Sequence, residues 1–172
     1  MSDVVVVDTN VPMTANGAAD ASSECVRACI AAVLDITSDR KRIALDDGWL
    51  IIGEYRNNLR SDGQPGLGDR FLKWVLTNWA NPIRCELVRI TPGAGGGENY
   101  AEFPDGEGLA NFDPADRKFV AVASAHAARP PILQAVDSKW WGWREALRAA
   151  GIAVEFLCEA DIRAKYEAKL GQ

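Results

Sequence analysis

The chain reads as an α/β protein: a three-layer α/β/α sandwich with a central, mainly parallel sheet. Three observations predict it. Val4-Val5-Val6-Val7 is a continuous β-branched apolar run, the pattern of a strand buried on both faces. Short apolar runs alternate along the chain with segments of helical periodicity, and strands alternating with helices imply parallel pairing with helices covering the sheet. With 172 residues and 48% hydrophobic content, the chain has apolar material for one core, so a single domain over residues 1–172 is expected.

The first strand ends abruptly at Asp8-Thr9-Asn10. A helix is expected over 18–34, where Val26, Ile30, Val33 and Leu34 recur at helical spacing after Ser22, Ser23 and Glu24. A short strand at 42–45 precedes a helix over 46–59, with Asp46 or Asp47 as its N-cap. Residues 61–66 form a loop, 67–79 an amphipathic helix ended by Asn81-Pro82, and 85–90 a strand. The Gly- and Pro-rich stretch 91–112 has no useful periodicity and reads as an insertion or long loop. Its Gly93-Ala94-Gly95-Gly96-Gly97 run lacks the Lys-Ser/Thr ending of a phosphate-binding loop. Beyond it the alternation resumes: a helix over 113–128, the Pro130-Pro131 breaker, a strand at 132–136, a Trp-rich helix at 138–150, a stop at Gly151, a strand at 152–157 and a last helix from about 159.

Composition excludes several classes. The longest apolar runs, such as 4–7 and 119–123, are far shorter than the roughly 20 residues of a spanning helix. The N-terminus lacks the basic start and cleavage site of a secretory signal, so a soluble, cytoplasmic protein is expected. A net charge of −5 argues against a surface basic throughout, yet leaves room for basic residues flanking an acidic, cation-filled pocket. Cys25, Cys29, Cys85 and Cys158 are too scattered for a zinc ribbon or a CxxC pair, and reduced thiols are expected. Cys25 and Cys29 lie one helical turn apart, compatible with two metal ligands on one face, but are read as small core residues. His126 is read as structural or surface, and Trp140, Trp141 and Trp143 as core more than as base-stacking platforms.

In a parallel sheet, ligands bind beyond the carboxyl ends of the strands. Asp8 and Asp137 follow the apolar runs 4–7 and 132–136, so both should emerge at that edge. Asp116 opens a helix whose start faces the same edge. Glu54 lies among Leu50, Ile51, Ile52 and Leu59, where an unpaired charge is expensive and a cation would relieve the cost. Each acid alone is equally a cap, a turn residue or a surface charge.

Taken together, Val-Val-Asp-Thr-Asn at the N-terminus, a mid-helix Glu54, Asp116 leading into Phe-Val-Ala-Val-Ala and a strand ending at Asp137 resemble the PIN-domain nucleases over nearly the whole chain. The resemblance implies a metal-dependent nuclease, usually acting on RNA, with Mg²⁺ or Mn²⁺ held by Asp8, Glu54, Asp116 and Asp137. Asn10 matches the polar residue after the first acid. Asp113 competes with Asp116 for the third position and is expected to cap the helix or hold a water. Ser138 stands where many members carry another acid or amide, and the chain exceeds the compact toxin members mainly between Pro92 and Phe112. Substrate contacts are expected from Arg56, Arg60, Arg117 and Lys118, with 40–42 as a second basic patch. The expected partner is nucleic acid, RNA before DNA, with a protein antitoxin or regulator and a homodimer as further possibilities. A structure-specific DNA nuclease and a non-catalytic interaction protein of the same fold stand as alternatives. A receiver or haloacid-dehalogenase-like phosphatase is disfavoured, because Asp8-Thr9-Asn10 lacks the second Asp and no adjacent acid pair follows Val7.

Overall fold

A computed structural model describes residues 3–17 and 20–171. Five strands, β1 (Val4–Val7), β2 (Arg42–Asp46), β3 (Cys85–Val88), β4 (Ile132–Gln134) and β5 (Val154–Phe156), form one parallel sheet in the order β3-β2-β1-β4-β5. Seven helices accompany it among the described residues: α1 (Asn10–Ala15), α2 (Ser23–Thr37), α3 (Leu50–Asn58), α4 (Leu67–Asn78), α5 (Arg117–Ala125), α6 (Ser138–Ala149) and α7 (Glu159–Leu170). The α/β/α class expected from the alternation is therefore present. None of these helices is long and apolar enough to cross a membrane.

Strand chemistry sorts centre from edge. All four valines of β1 are buried, as is β2 from Ile43 to Asp46, because both strands carry helices on both faces. The outer strands β3 and β5 instead expose alternate residues such as Leu87 and Glu155. Register follows β1 outward, Val5 opposite Ile43 on one side and Val7 opposite Leu133 on the other. On one face, α5 lies across β2, β1 and β4 with Phe119, Val120, Ala121, Val122 and Ala123 buried. Helices α1, α2 and α4 pack on one another, and the approach of α4 to α1 is tight: a Cβ on Gly68 would sit 1.7 Å from the Pro12 carbonyl oxygen.

Several boundaries move for identifiable reasons. The expected start of the first helix at Ala18 lies outside the described residues; the helix itself is α2, from Ser23, with the Ser22 side chain accepting from the Cys25 amide. A short helix, α1, occupies Asn10–Ala15, where the sequence reading placed no element; Pro12 is tolerated there because a helix's first amides need no intrahelical acceptor. The helix expected from Asp46 begins at Leu50. Asp46 still organises its start, accepting from the amides of Gly48, Leu50 and Ile51, while Trp49 adopts a left-handed conformation at φ 64°. The 91–112 stretch is better ordered than a plain loop. An antiparallel bridge joins Pro92 to Tyr100, a 3-10 turn spans Glu107–Leu109, and Arg117 donates to the carbonyls of Ala110 and Phe112 and to Asn99 Oδ1.

The cysteines require a correction. Cys25 and Cys158, expected as separate reduced thiols, form a disulfide that joins α2 to the residue before α7 across 133 positions. Cys29 and Cys85 are free and buried. Two polar contacts run alongside the bridge: Asp161 accepts from the Ser22 amide and hydroxyl, each at 2.7 Å, and Lys165 pairs with Asp20 at 2.7 Å. His126, at the end of α5, is a structural residue, with Nε2 2.6 Å from Glu86, which also pairs with Arg42.

Candidate acidic site

The strand order places the site. The chain moves from β1 outward to β2 and β3 on one side and returns to β4 and β5 on the other, so the connections part at the carboxyl end of β1, where ligand crevices form in such sheets. Asp8 is the first residue beyond that end. A cavity of about 240 Å³ opens over it, lined by Asp8, Thr9, Asn10, Glu54, Asp116 and Asp137, with Asp20, Asn58 and Lys165 among the rim residues. The four acids singled out in the sequence thus meet at one opening, although 129 positions separate Asp8 from Asp137.

Each acid is held differently. Asp8 is 4% exposed and accepts from the Asn10 amide at 2.9 Å. Asn10 also accepts from the Ala135 amide and donates to Gln134, tying the end of β1 to the end of β4. Asp137 is the N-cap of α6, accepting from the Lys139 amide. Asp116 precedes α5 without capping it, and its Oδ2 accepts from Trp140 Nε1 at 3.1 Å. Trp140 itself is fully buried, so at this position the tryptophan run serves the core while its indole N–H reaches the site. Glu54, inside α3, accepts from the Thr9 hydroxyl at 2.6 Å and pairs with Lys118.

Electrostatics follow from this crowding. Burial above all, then the charges of Asp116, Glu54 and Asp137, pushes Asp8 well above the usual carboxylate range, while the Asn10 amide works the other way. Burial also dominates at Asp116, reinforced by Asp137, Asp113 and Glu54 and opposed by Trp140, and its carboxyl is pushed up to about 7. The protein has gathered negative charge where ionisation is costly, a hallmark of functional pockets. The acids remain spread apart: among the described residues, the three cysteines Cys25, Cys29 and Cys158 are the one group of three ligating side chains whose donor atoms all lie within 4.8 Å.

The remaining candidates divide. Asp113 caps the 3-10 turn Pro114–Asp116 through the Ala115 amide and pairs with Lys139, whose ammonium holds it below the ordinary carboxylate value. Ser138 is buried and accepts from Lys169. Arg117 is spent on the 91–112 segment and lies over the Phe103 ring, and Lys118 is buried against Glu54 and the Ala115 carbonyl. Arg56 and Arg60 are exposed but do not line the cavity. Sequence reasoning missed Thr9, Lys165 and Asp20. Thr9 was within reach, since it directly follows Asp8, whereas Lys165 and Asp20 come together only through the docking of α7 beside α2.

Comparison with protein-family models, curated proteins and solved structures finds no match for this chain.

Proposed function

We propose that the protein is a metal-dependent nuclease of the PIN type, acting on RNA before DNA. The convergence of Asp8, Glu54, Asp116 and Asp137 on one cavity beyond the central strand carries this reading. The donor set fits Mg²⁺ or Mn²⁺: it consists of carboxylate oxygens, and two of them are disfavoured as anions without a cation nearby. Asp8, Asp116 and Asp137 would hold the ion, with Glu54 joining them from its contact with Lys118. A bound ion of this kind supplies an acidified water and neutralises charge at a phosphodiester.

The chain's own residues prepare that chemistry. Thr9 and Lys118 fix the Glu54 carboxylate from two sides, and the Asn10 amide orients that of Asp8. Lys165, at the rim, offers an ammonium to an entering phosphate once it leaves Asp20. Arg56 and Arg60 give a more distant basic approach. The acids' donor atoms are spread more widely than those of the cysteine cluster, so holding one ion would require Asp8, Asp116 and Asp137 to move closer together. The rival reading as a structure-specific DNA nuclease keeps the same site and differs only in substrate.

The test is cleavage of labelled single-stranded RNA, single-stranded DNA and flap DNA in Mn²⁺, in Mg²⁺ and in EDTA. The expected result is Mn²⁺-dependent cleavage of RNA that falls at least about 100-fold in Asp8→Asn, the order seen when one preorganised charge is removed from an active site. Metal-independent cleavage, or wild-type rates in Asp8→Asn, would remove the proposal. Preferential cutting of flap DNA would transfer it to the rival.

A further inference from the structure

Away from the acidic cavity, a second cluster has no part in that chemistry. Cys25 and Cys29 stand one turn apart on the buried side of α2, and Cys158 comes in just before α7. Their sulfurs lie within 4.8 Å of one another, and all three residues are buried. A cross-link between α2 and α7 needs two cysteines, and Cys25 and Cys158 provide it; Cys29 Sγ nevertheless sits 3.9 Å from Cys158 Sγ.

Two roles for the third thiol can be compared. As an exchange partner it would attack Cys158 as a thiolate, yet burial, helped by the charge of Asp161, pushes the Cys29 thiol up to about 12. A metal ion needs no free thiolate, because coordination itself displaces the proton. The spacing suits this second role. In a tetrahedral site with Zn–S bonds of about 2.3 Å, neighbouring sulfurs are about 3.8 Å apart, close to the Cys29–Cys158 separation of 3.9 Å.

We propose that the reduced chain binds one Zn²⁺ between Cys25, Cys29 and Cys158, a site separate from the acids and exclusive of the Cys25–Cys158 disulfide. A dithiol reductant gives two electrons and two protons to the disulfide, becoming a disulfide itself and leaving two protein thiols. Three Zn–S bonds then form as three S–H bonds lose their protons to solvent. Zn²⁺ suits the place better than Cu⁺, since three thiolates leave one net negative charge around the former and two around the latter in a buried setting. The three thiolates are the protein's own ligands; the nearby Asp161 carboxylate is engaged through both oxygens with the Ser22 amide and hydroxyl.

The experiment uses the full chain, reduced anaerobically with a non-thiol reductant and titrated with Co²⁺ and then Zn²⁺. Expected is a sulfur-to-cobalt charge-transfer band that saturates at one equivalent and is displaced by Zn²⁺. Cys29→Ser should weaken Zn²⁺ binding at least about 100-fold, roughly one ligand's share of a thiolate site. Oxidised Cys29→Ser keeps the Cys25–Cys158 bond, so its melting curve shows whether the fold has survived. Asp8→Asn should leave the charge-transfer band unchanged, which separates this site from the acidic one and the failure of either proposal from that of the other. A spectrum of oxygen ligands alone, equal affinity in Cys29→Ser, or no Zn²⁺ bound by the reduced chain would overturn it.

Discussion

Replacing Asp116 with asparagine should stabilise the protein at alkaline pH. The carboxyl is held at about 7 against an ordinary 3.8, and each tenfold change in proton affinity is worth about 1.4 kcal/mol, so keeping it ionised above pH 7 costs the fold about 4 kcal/mol. The sign follows from proton counts. Between about pH 4 and 7 the folded chain binds a proton at Asp116 that the unfolded chain has released, so this contribution to stability declines as pH rises through that window and is level above it. The amide introduced by the substitution carries no charge, and its oxygen can still accept from Trp140 Nε1. The expected gain for Asp116→Asn is about 2 to 4 kcal/mol at pH 8 and under about 1 kcal/mol at pH 4, the lower bound at pH 8 allowing for residual solvent contact. Asp8 shares the same repulsion, so its cost is not added. Urea unfolding of oxidised wild type and variant from pH 4 to 8, in EDTA, measures the difference and cancels the other titrating groups. A difference independent of pH, or a variant less stable than wild type at pH 8, would refute the assignment of strain to this acid cluster.

Three further outcomes are expected. Breaking the Cys25–Cys158 bond by Cys25→Ser should lower stability by up to about 5 kcal/mol, the chain-entropy value for a loop closed over 133 positions; unfolding with and without the bond, in EDTA, checks it, and a loss under about 1 kcal/mol would count against the cross-link. Lys118→Met should cost about 3 kcal/mol because Glu54, its side chain 27% exposed, loses its counter-charge, and adding Glu54→Gln should recover at least about half; no recovery would mean that Lys118 acts through packing alone. Gly68→Ala should cost about 3 kcal/mol or more, read by thermal unfolding, since its Cβ meets the Pro12 carbonyl; a change under about 1 kcal/mol would show that α1 and α4 can separate freely.

The sequence reveals most where a local pattern and the global fold agree. The valine run announces a doubly covered strand because burial on both faces favours consecutive β-branched apolar residues, and strand ends at 7 and 134 point to Asp8 and, beyond two further residues, Asp137. What stays hidden depends on phase or on distance along the chain. Beside Arg117, Lys118 reads as a surface cation, but the turn of α5 carries it inward to Glu54, where it supplies the neutralising charge that sequence reasoning assigned to a metal. Arg117 likewise looks free for phosphate until the path of residues 99–112 is known. The i, i+4 spacing of Cys25 and Cys29 shows that they share a helical face, but no local signal pairs Cys25 with a residue 133 positions away.

The placement of that cross-link affects how the chain behaves when cut. Its two sulfurs enclose the Ser61-Asp62-Gly63-Gln64-Pro65-Gly66 turn, exposed at every position from 61 to 65, as well as the glycines at 95–97. A protease nicking either place in the oxidised protein leaves two pieces that migrate as one band without reductant and as two with it. Nicked molecules would therefore keep β1 and α7 together, and limited digestion followed by paired gels would report the state of the bond without a spectroscopic probe.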